Sequence, residues 1–212
     1  MKIQLFVLAL LAACGWTAFA DVLSAPLSLG EAAEDLTDAC SIGKPADARR
    51  YLASAEAAAR RIATPSDSGG RVDASLALTD DLLGRARELC ARGASPSGAL
   101  AANQLTLVAL ELEPQANTWA RRLVWFDYLA NEIILRAKRS APDDRAVVER
   151  RARSLAALWV VLRPGFVTHA KLVADGDKLA GEFGRPASLA ARARQGAKAA
   201  DFVDELEKAG KS

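Results

Sequence analysis

Residues 119–135, WARRLVWFDYLANEIIL, carry the pattern that decides the fold. At about 100° per residue, one face of a helix collects six apolar side chains: Trp119, Leu123, Phe126, Ala130, Ile133 and Ile134. A second apolar strip lies on nearly the opposite side and consists of Val124, Tyr128 and Leu135. A helix that is apolar on two sides is typical of one packed between other helices. We therefore predict a central helix over 115–139 with neighbours on both sides.

The composition of the 212-residue chain favours an all-α protein. Apolar residues make up 51% of the chain, and alanine and leucine dominate them among interspersed Arg, Glu and Asp. This is a helix-forming mixture. No Asn-Gly or Asp-Gly pair lies between alternating apolar residues, so the hairpin signal is missing. The sequence predicts about eight helices in an antiparallel bundle or a short α-solenoid around the central helix.

Capping signals predict where the helices begin and end. Ser28-Leu29-Gly30-Glu31 has the spacing of a capping box, which predicts a first helix beginning near Leu29. Glycine ends the first and third helices at Gly43 and Gly93, because glycine is favoured just past a helix end. Proline suits the first turn of a helix, so Pro45 and Pro96 open the next helices. A seventh helix is predicted over 166–181.

The first twenty residues form a separate segment. Met1-Lys2 precedes an apolar run, and Ala18-Phe19-Ala20 resembles a signal-peptidase site. We predict a secretory signal over 1–20 and a single mature all-α domain over 21–212, in the periplasm or secreted. The alternative is a lipoprotein, because Leu11-Ala12-Ala13-Cys14 resembles a bacterial lipobox; the chain then meets the membrane only through a lipid on Cys14.

The mature chain then holds two cysteines, Cys40 and Cys90, each in the last turn of a predicted helix. The first and third helices of an up-down-up arrangement run parallel, so their carboxyl ends lie at the same end of the bundle. We therefore predict a structural disulfide, which suits an exported protein. The Cys-then-Gly-then-Pro endings of both hairpins leave open whether they are duplicates.

Charge argues against nucleic acid as the main partner. The formal net charge is +2 and falls to +1 when Lys2 leaves with the signal segment, whereas nucleic-acid-binding domains are strongly basic. The charges are unevenly distributed: residues 21–48 are acidic and residues 185–200 are basic. Two solvated surfaces or two docking surfaces are the alternative interpretations.

The scarce residue types exclude most kinds of chemistry. His169 is the single histidine, so a His-rich metal site or a His/Met haem cannot be built, and we expect no metal and no cofactor. Asp67-Ser68-Gly69-Gly70 resembles a serine-protease loop, but His169 follows it in helical sequence, so we assign a plain loop. An enzyme would need two acids that converge in a cleft. The sequence shows no candidate for such a pair beyond Asp80-Asp81 and Asp143-Asp144, and both are placed like helix caps.

Trp125 with its neighbours Arg121 and Arg136, and separately Arg151, are candidate contacts for a partner or a ligand. Trp125 falls on the wheel among Arg121, Glu132 and Arg136, a charged strip where a tryptophan is either covered by cation–π contact or exposed for a partner. Arg151 lies within an apolar stripe and either pairs with an internal acid or reaches into a pocket. The sequence therefore predicts an exported, non-enzymatic helical protein that binds an unidentified protein partner or acts as an accessory protein in the periplasm. The alternative is a small-molecule binder with an aromatic and arginine pocket between helices.

Overall fold

The computed structural model describes residues 17–62, 70–112 and 118–210, and within these ranges it is helical and without strands. The all-α prediction is therefore confirmed. In chain order the α-helices are α1 Thr17–Ile42, α2 Pro45–Ile62, α3 Gly70–Cys90, α4 Pro96–Leu112, α5 Thr118–Arg139, α6 Asp144–Leu162, α7 Ala170–Phe183 and α8 Leu189–Ala209. A short 3-10 helix, Arg163–Phe166, joins α6 to α7.

The start of the first helix differs from the prediction. It begins at Thr17 rather than near Leu29, runs through the predicted cleavage point, and continues past Pro26. Ser28 therefore lies inside the helix, because Ala25 and Leu29 on either side of it are buried in the core, and burial overrides a local capping signal. The apolar run of the predicted signal sequence, Cys14 and the Ser68 loop lie outside the described residues.

The first four helices form a ring around one hydrophobic core. Each helix packs against the next, and α4 packs back against α1. The core is built largely from small and aliphatic side chains, among them Leu29, Leu36, Leu82 and Leu105. Alanine at the helix contacts lets the backbones approach closely, which is why this half of the chain needs so few aromatic residues.

A disulfide closes one end of this first ring. Cys40 at the end of α1 is bonded to Cys90 at the end of α3, with their Cα atoms 5.1 Å apart. The prediction from parallel helices is confirmed. Gly43 follows with a positive φ of 75°, and a side chain there would meet the backbone of Ala94. The turn brings the Ser95 amide to the Cys40 carbonyl, 2.9 Å away.

The last four helices form a second ring of the same kind. α5 packs on α6, α6 on α7, α7 on α8, and α8 returns to α5. Its core is aromatic, with Phe126, Trp159 and Phe202 in contact. The seventh helix begins at Ala170 instead of residue 166, because Phe166 belongs to the 3-10 helix and is buried against Trp119 and Trp159.

Helix α5 joins the two rings, as a helix with two apolar faces should. It packs on α8 and α6 in its own ring and on α4 of the other. Leu135 on α5 belongs to the first core, and Leu107 on α4 packs against the second. The predicted packing of this helix between neighbours is confirmed.

Candidate functional site

Trp125 is the large aromatic side chain that α5 leaves open to solvent. It retains 38% exposure, whereas Phe126 and Tyr128 beside it retain 1%. Its ring lies 5.6 Å from the ring of Tyr128 at an angle of 35°. Trp125 therefore has one side supported by a buried aromatic ring and the other side accessible.

Helices α4 and α6 flank the face of α5 that carries Trp125. On the α4 side, the Asn103 amide donates to the backbone carbonyl of Tyr128 at 3.2 Å. On the α6 side, the Arg151 guanidinium lies 2.6 Å from the Glu132 carboxylate. These contacts fix α5 against both neighbours. We call the surface formed by Arg121, Trp125 and Arg151 the tryptophan face.

Beneath this face, charged side chains link α5 to the start of α6. Glu132 and Asp144 are buried, at 1% and 0% exposure. Arg136 bridges them, with its Nε 2.7 Å from Glu132 and its Nη1 3.1 Å from Asp144. Arg139 Nε donates to Asp144 at 2.8 Å. Together with Arg151 these residues form what we call the ion-pair ladder.

The ladder contains three arginines and two carboxylates, so it carries one excess positive charge. Arg151 is held by charge attraction alone: its Nε faces Glu132 Oε2 at 2.6 Å, yet neither atom has an aligned hydrogen bond among the described residues. The hydrogen bond from Arg139 is the main reason that the pKa of Asp144 falls to about 2. The carboxylate also accepts the Ala141 amide at 2.8 Å.

Tyr128 connects the ladder to the tryptophan. Its buried ring lies against that of Trp125, and its hydroxyl interacts with the Glu132 side chain. Burial, followed by the charge of Glu132, holds the pKa of Tyr128 well above its usual range. The hydroxyl is therefore protonated. A buried, closely packed support of this kind restricts how far the face above it can move.

The predicted contact residues fall into three different environments. Trp125 is accessible. Arg121 donates to the backbone carbonyl of Leu110 at 2.9 Å, near the end of α4. Arg136 and Arg151 belong to the ladder, and Arg151 pairs with an internal acid, Glu132, through its Nε.

Sequence reasoning missed the two acids that organise this region. In the sequence, Glu132 appears only as part of the charged strip around Trp125, and Asp144 appears only as a cap-like residue. The spacing of Glu132 and Arg136 is that of an ion pair on one helix face, and this was the available signal. Nothing in the order of residues indicates that Asp144 returns to Arg136, since the turn between α5 and α6 decides that contact.

A second group of acids gathers on the other side of α5. Glu34 and Asp38 on α1 approach Asp127, and Asp204 and Glu207 on α8 add to the negative charge. Burial first, and then these like charges, raise the pKa of Asp127 to about 7. The pKa of Glu34 rises to about 7 for the same reasons, although more than a third of its surface is exposed. Raised pKa values of this kind occur in structural clusters of charged residues as well as in active sites.

The described residues do not assemble a site for a metal ion. No group of three or more His, Cys, Asp or Glu side chains among them is arranged to hold a metal ion. His169 lies at the start of α7, with its ring 6.4 Å from that of Phe166. None of the helices in the described ranges is both long and apolar enough to cross a membrane.

Comparison of this chain with protein-family models, curated proteins and solved structures found no significant match. Function must therefore be argued from the residues themselves. Among them, the tryptophan face combines an accessible anchor side chain with a rigid support.

Proposed function

We propose that this protein is an exported, non-enzymatic helical protein that binds a partner protein through the tryptophan face. The observation that carries the proposal is the position of Trp125, which is 38% exposed while the Tyr128 ring beneath it is buried. Tryptophan is over-represented among residues that dominate binding energy at protein interfaces. An anchor that is already held in place loses little conformational entropy on binding.

The charges around Trp125 indicate the chemistry of the partner. Arg151 is a cation of this face, and its side chain is 34% exposed. Arg121 lies one turn before Trp125 and is partly exposed. A partner that inserts an apolar pocket over the indole and places carboxylates around it would complement this surface.

The disulfide supports export. Cys40 and Cys90 are bonded, and disulfides persist mainly in oxidising compartments. The sequence adds the signal-like segment 1–20. Mass spectrometry of the mature protein distinguishes the two routes: cleavage after Ala20 leaves Asp21 as the first residue, whereas lipidation leaves a modified Cys14.

Site-specific crosslinking tests the binding face. A photoreactive amino acid at position 125 should capture one discrete partner, whereas the same group at Leu78, which is 48% exposed on α3, should not. The captured protein is then purified and titrated against Trp125→Ala. Removal of an interface anchor costs about 2 kcal/mol or more, so affinity should fall by about thirtyfold with no change in melting temperature.

Two results would contradict the proposal. The first is equal crosslinking at positions 125 and 78, which would mean that the tryptophan face has no preferred partner. The second is a purified partner that binds Trp125→Ala as tightly as the unaltered protein. Exchange of Trp125 for Phe separates the requirement for an aromatic anchor from the requirement for the indole itself.

A further inference from the structure

A pocket lies between α6 and the turn that joins α7 to α8, away from the tryptophan face. Its volume is about 280 Å³, and its charged lining consists of Arg145, Glu149, Arg153, Arg185 and Arg192. Phe183 contributes an apolar wall. The basic segment 185–200 of the sequence supplies two of these arginines, and α6 supplies the other two.

Arg192 is fully engaged and shapes one wall of the pocket. Its side chain is 1% exposed. Nε and Nη2 donate to the two oxygens of Glu149 at 3.0 and 2.7 Å. The guanidinium also donates to the carbonyls of Phe183 and Arg185, at 3.2 and 2.8 Å. It therefore ties the α7–α8 turn to α6 and holds the pocket in a fixed shape.

The same contact occupies both oxygens of Glu149. Arg192 is the main cause of the lowered pKa of Glu149, so that carboxylate is ionised and already paired. Arg145 and Arg153 lie one turn before and one turn after Glu149, on the same side of α6. Arg185 approaches from the turn.

Arg145, Arg153 and Arg185 are exposed, and no close ion pair joins them to a carboxylate among the described residues, although the charges of Arg145 and Arg153 help to lower the pKa of Glu149. Four arginines against one glutamate leave three excess positive charges around a single pocket. Three guanidinium groups that face a shared space repel one another unless an anion lies between them. Water screens this repulsion between the three arginines at the surface, and a bound anion would replace that water.

We propose that this pocket binds a compact phosphorylated small molecule with two or more negative charges. Guanidinium groups match the oxygens of a phosphate with paired, charge-assisted hydrogen bonds. A phosphate offers enough acceptor oxygens for several arginines at once, which a single carboxylate does not. The volume suits a small ligand, and Phe183 gives its non-ionic part an apolar surface.

Calorimetric titration with pyrophosphate tests the proposal on the full chain. The unaltered protein should bind pyrophosphate with an affinity that falls as salt is added, and pyrophosphate should raise its melting temperature. Because one charge-assisted hydrogen bond accounts for about tenfold in affinity, Arg145→Ala, Arg153→Ala and Arg185→Ala should each bind at least about tenfold more weakly. Arg153→Lys keeps the charge without the paired donors and should fall in between.

Arg194→Ala is the matched control, because Arg194 is an exposed arginine on α8 that does not line the pocket. Its affinity for pyrophosphate should stay within about twofold of the unaltered protein, since only distant, screened charge is removed. Three outcomes would overturn the proposal: no binding of pyrophosphate, an equal loss in Arg194→Ala, or binding only to phosphatidic-acid vesicles and not to soluble pyrophosphate. Arg145, Arg153 and Arg185 are exposed and form no close ion pair among the described residues, so their variants should melt like the unaltered protein. These results are independent of the tryptophan face.

Discussion

The indole of Trp159 packs directly over Gly176, so that α6 and α7 meet where one residue is large and the other has no side chain. The ring nitrogen of Trp159 donates to Asp177 at 2.9 Å, and Arg163 pairs with the same carboxylate. A side chain on Gly176 would collide with the indole. This fit positions the aromatic core of the second ring.

Gly176→Ala should therefore destabilise the protein, although alanine favours a helix. Alanine improves helix propensity by about 1 kcal/mol, but forcing a methyl group into a packed contact costs about 1–3 kcal/mol. Displacement of the indole would also break its hydrogen bond to Asp177. We expect a net loss of about 2 kcal/mol in the free energy of unfolding, measured by urea denaturation.

Gly181 on the same helix provides the control. It is exposed, and a side chain there would meet no atom within 4 Å. Gly181→Ala should be neutral or stabilising by up to about 1 kcal/mol. If both substitutions change stability equally, the contact with Trp159 is not the cause.

Loss of Asp144 should be among the most damaging single changes in the ladder. Its carboxylate is buried and receives Arg136, Arg139 and the Ala141 amide. Asp144→Ala leaves Arg139 and the Ala141 amide without this carboxylate and leaves Arg136 with Glu132 alone, and breaking a buried charge pair costs about 3–5 kcal/mol. Thermal and urea unfolding measure the loss.

Asp81→Ala removes an ion pair of the ordinary surface kind for comparison. Asp81 and Arg85 are each more than half exposed, and such pairs contribute less than about 1 kcal/mol. A similar effect of the two substitutions would mean that the ladder is solvated and does not support the fold.

The acids around Asp127 should make stability depend on pH. The folded protein raises the pKa of Asp127 from its ordinary value of 3.8 to about 7. The carboxyl therefore binds its proton more tightly in the folded state. Its stabilisation is complete below pH 3.8 and is lost as pH rises through 7. We expect the melting temperature to fall between pH 5 and pH 8.

Asp127→Asn tests this assignment, because asparagine is always neutral and can still bond with Asn131, which donates to Asp127 at 2.9 Å. The variant should melt higher than the unaltered protein at pH 8, by a few degrees, since 1 kcal/mol corresponds to about 2–4 °C at this chain length. The difference should shrink towards pH 5. Asp201→Asn, at an exposed position on α8, is the control. Parallel pH profiles for all three proteins would rule out Asp127 as the source.

Reduction of the disulfide should weaken the first ring. The bond joins residues 50 positions apart, and closing a loop of that size stabilises the folded state by about 4 kcal/mol through the unfolded chain. A reductant should lower the denaturation midpoint of the unaltered protein. The double variant Cys40→Ala, Cys90→Ala should show the lower midpoint with or without reductant; a midpoint that still responds to reductant would contradict this explanation.

The sequence predicts the features that depend on regular spacing. The two apolar strips of 119–135 indicate a helix packed on two sides, and α5 packs on α4, α6 and α8. The ends of the first and third helices indicate that Cys40 and Cys90 meet. Each inference needs only helix periodicity and chain direction.

Other contacts depend on how far one helix is shifted along its axis relative to its neighbour, and helix periodicity and chain direction do not predict that shift. Glu149 and Arg192 lie 43 residues apart, and no local pattern joins them. The same is true of Trp159 over Gly176: the sequence shows Asp175-Gly176-Asp177 only as a fragment too short for a calcium loop. The register of packed helices is set by side-chain shape across the interface, which a single helix does not encode.

The two rings also differ in how their cores are distributed along the chain. Every helix of the first ring, and both of its bonded cysteines, lie within residues 17–112. Among the described residues buried in that core, Leu135 is the one that comes from the second half. The amino-terminal half thus supplies almost the whole of the core that its own disulfide stabilises, and α5 adds one side chain to it.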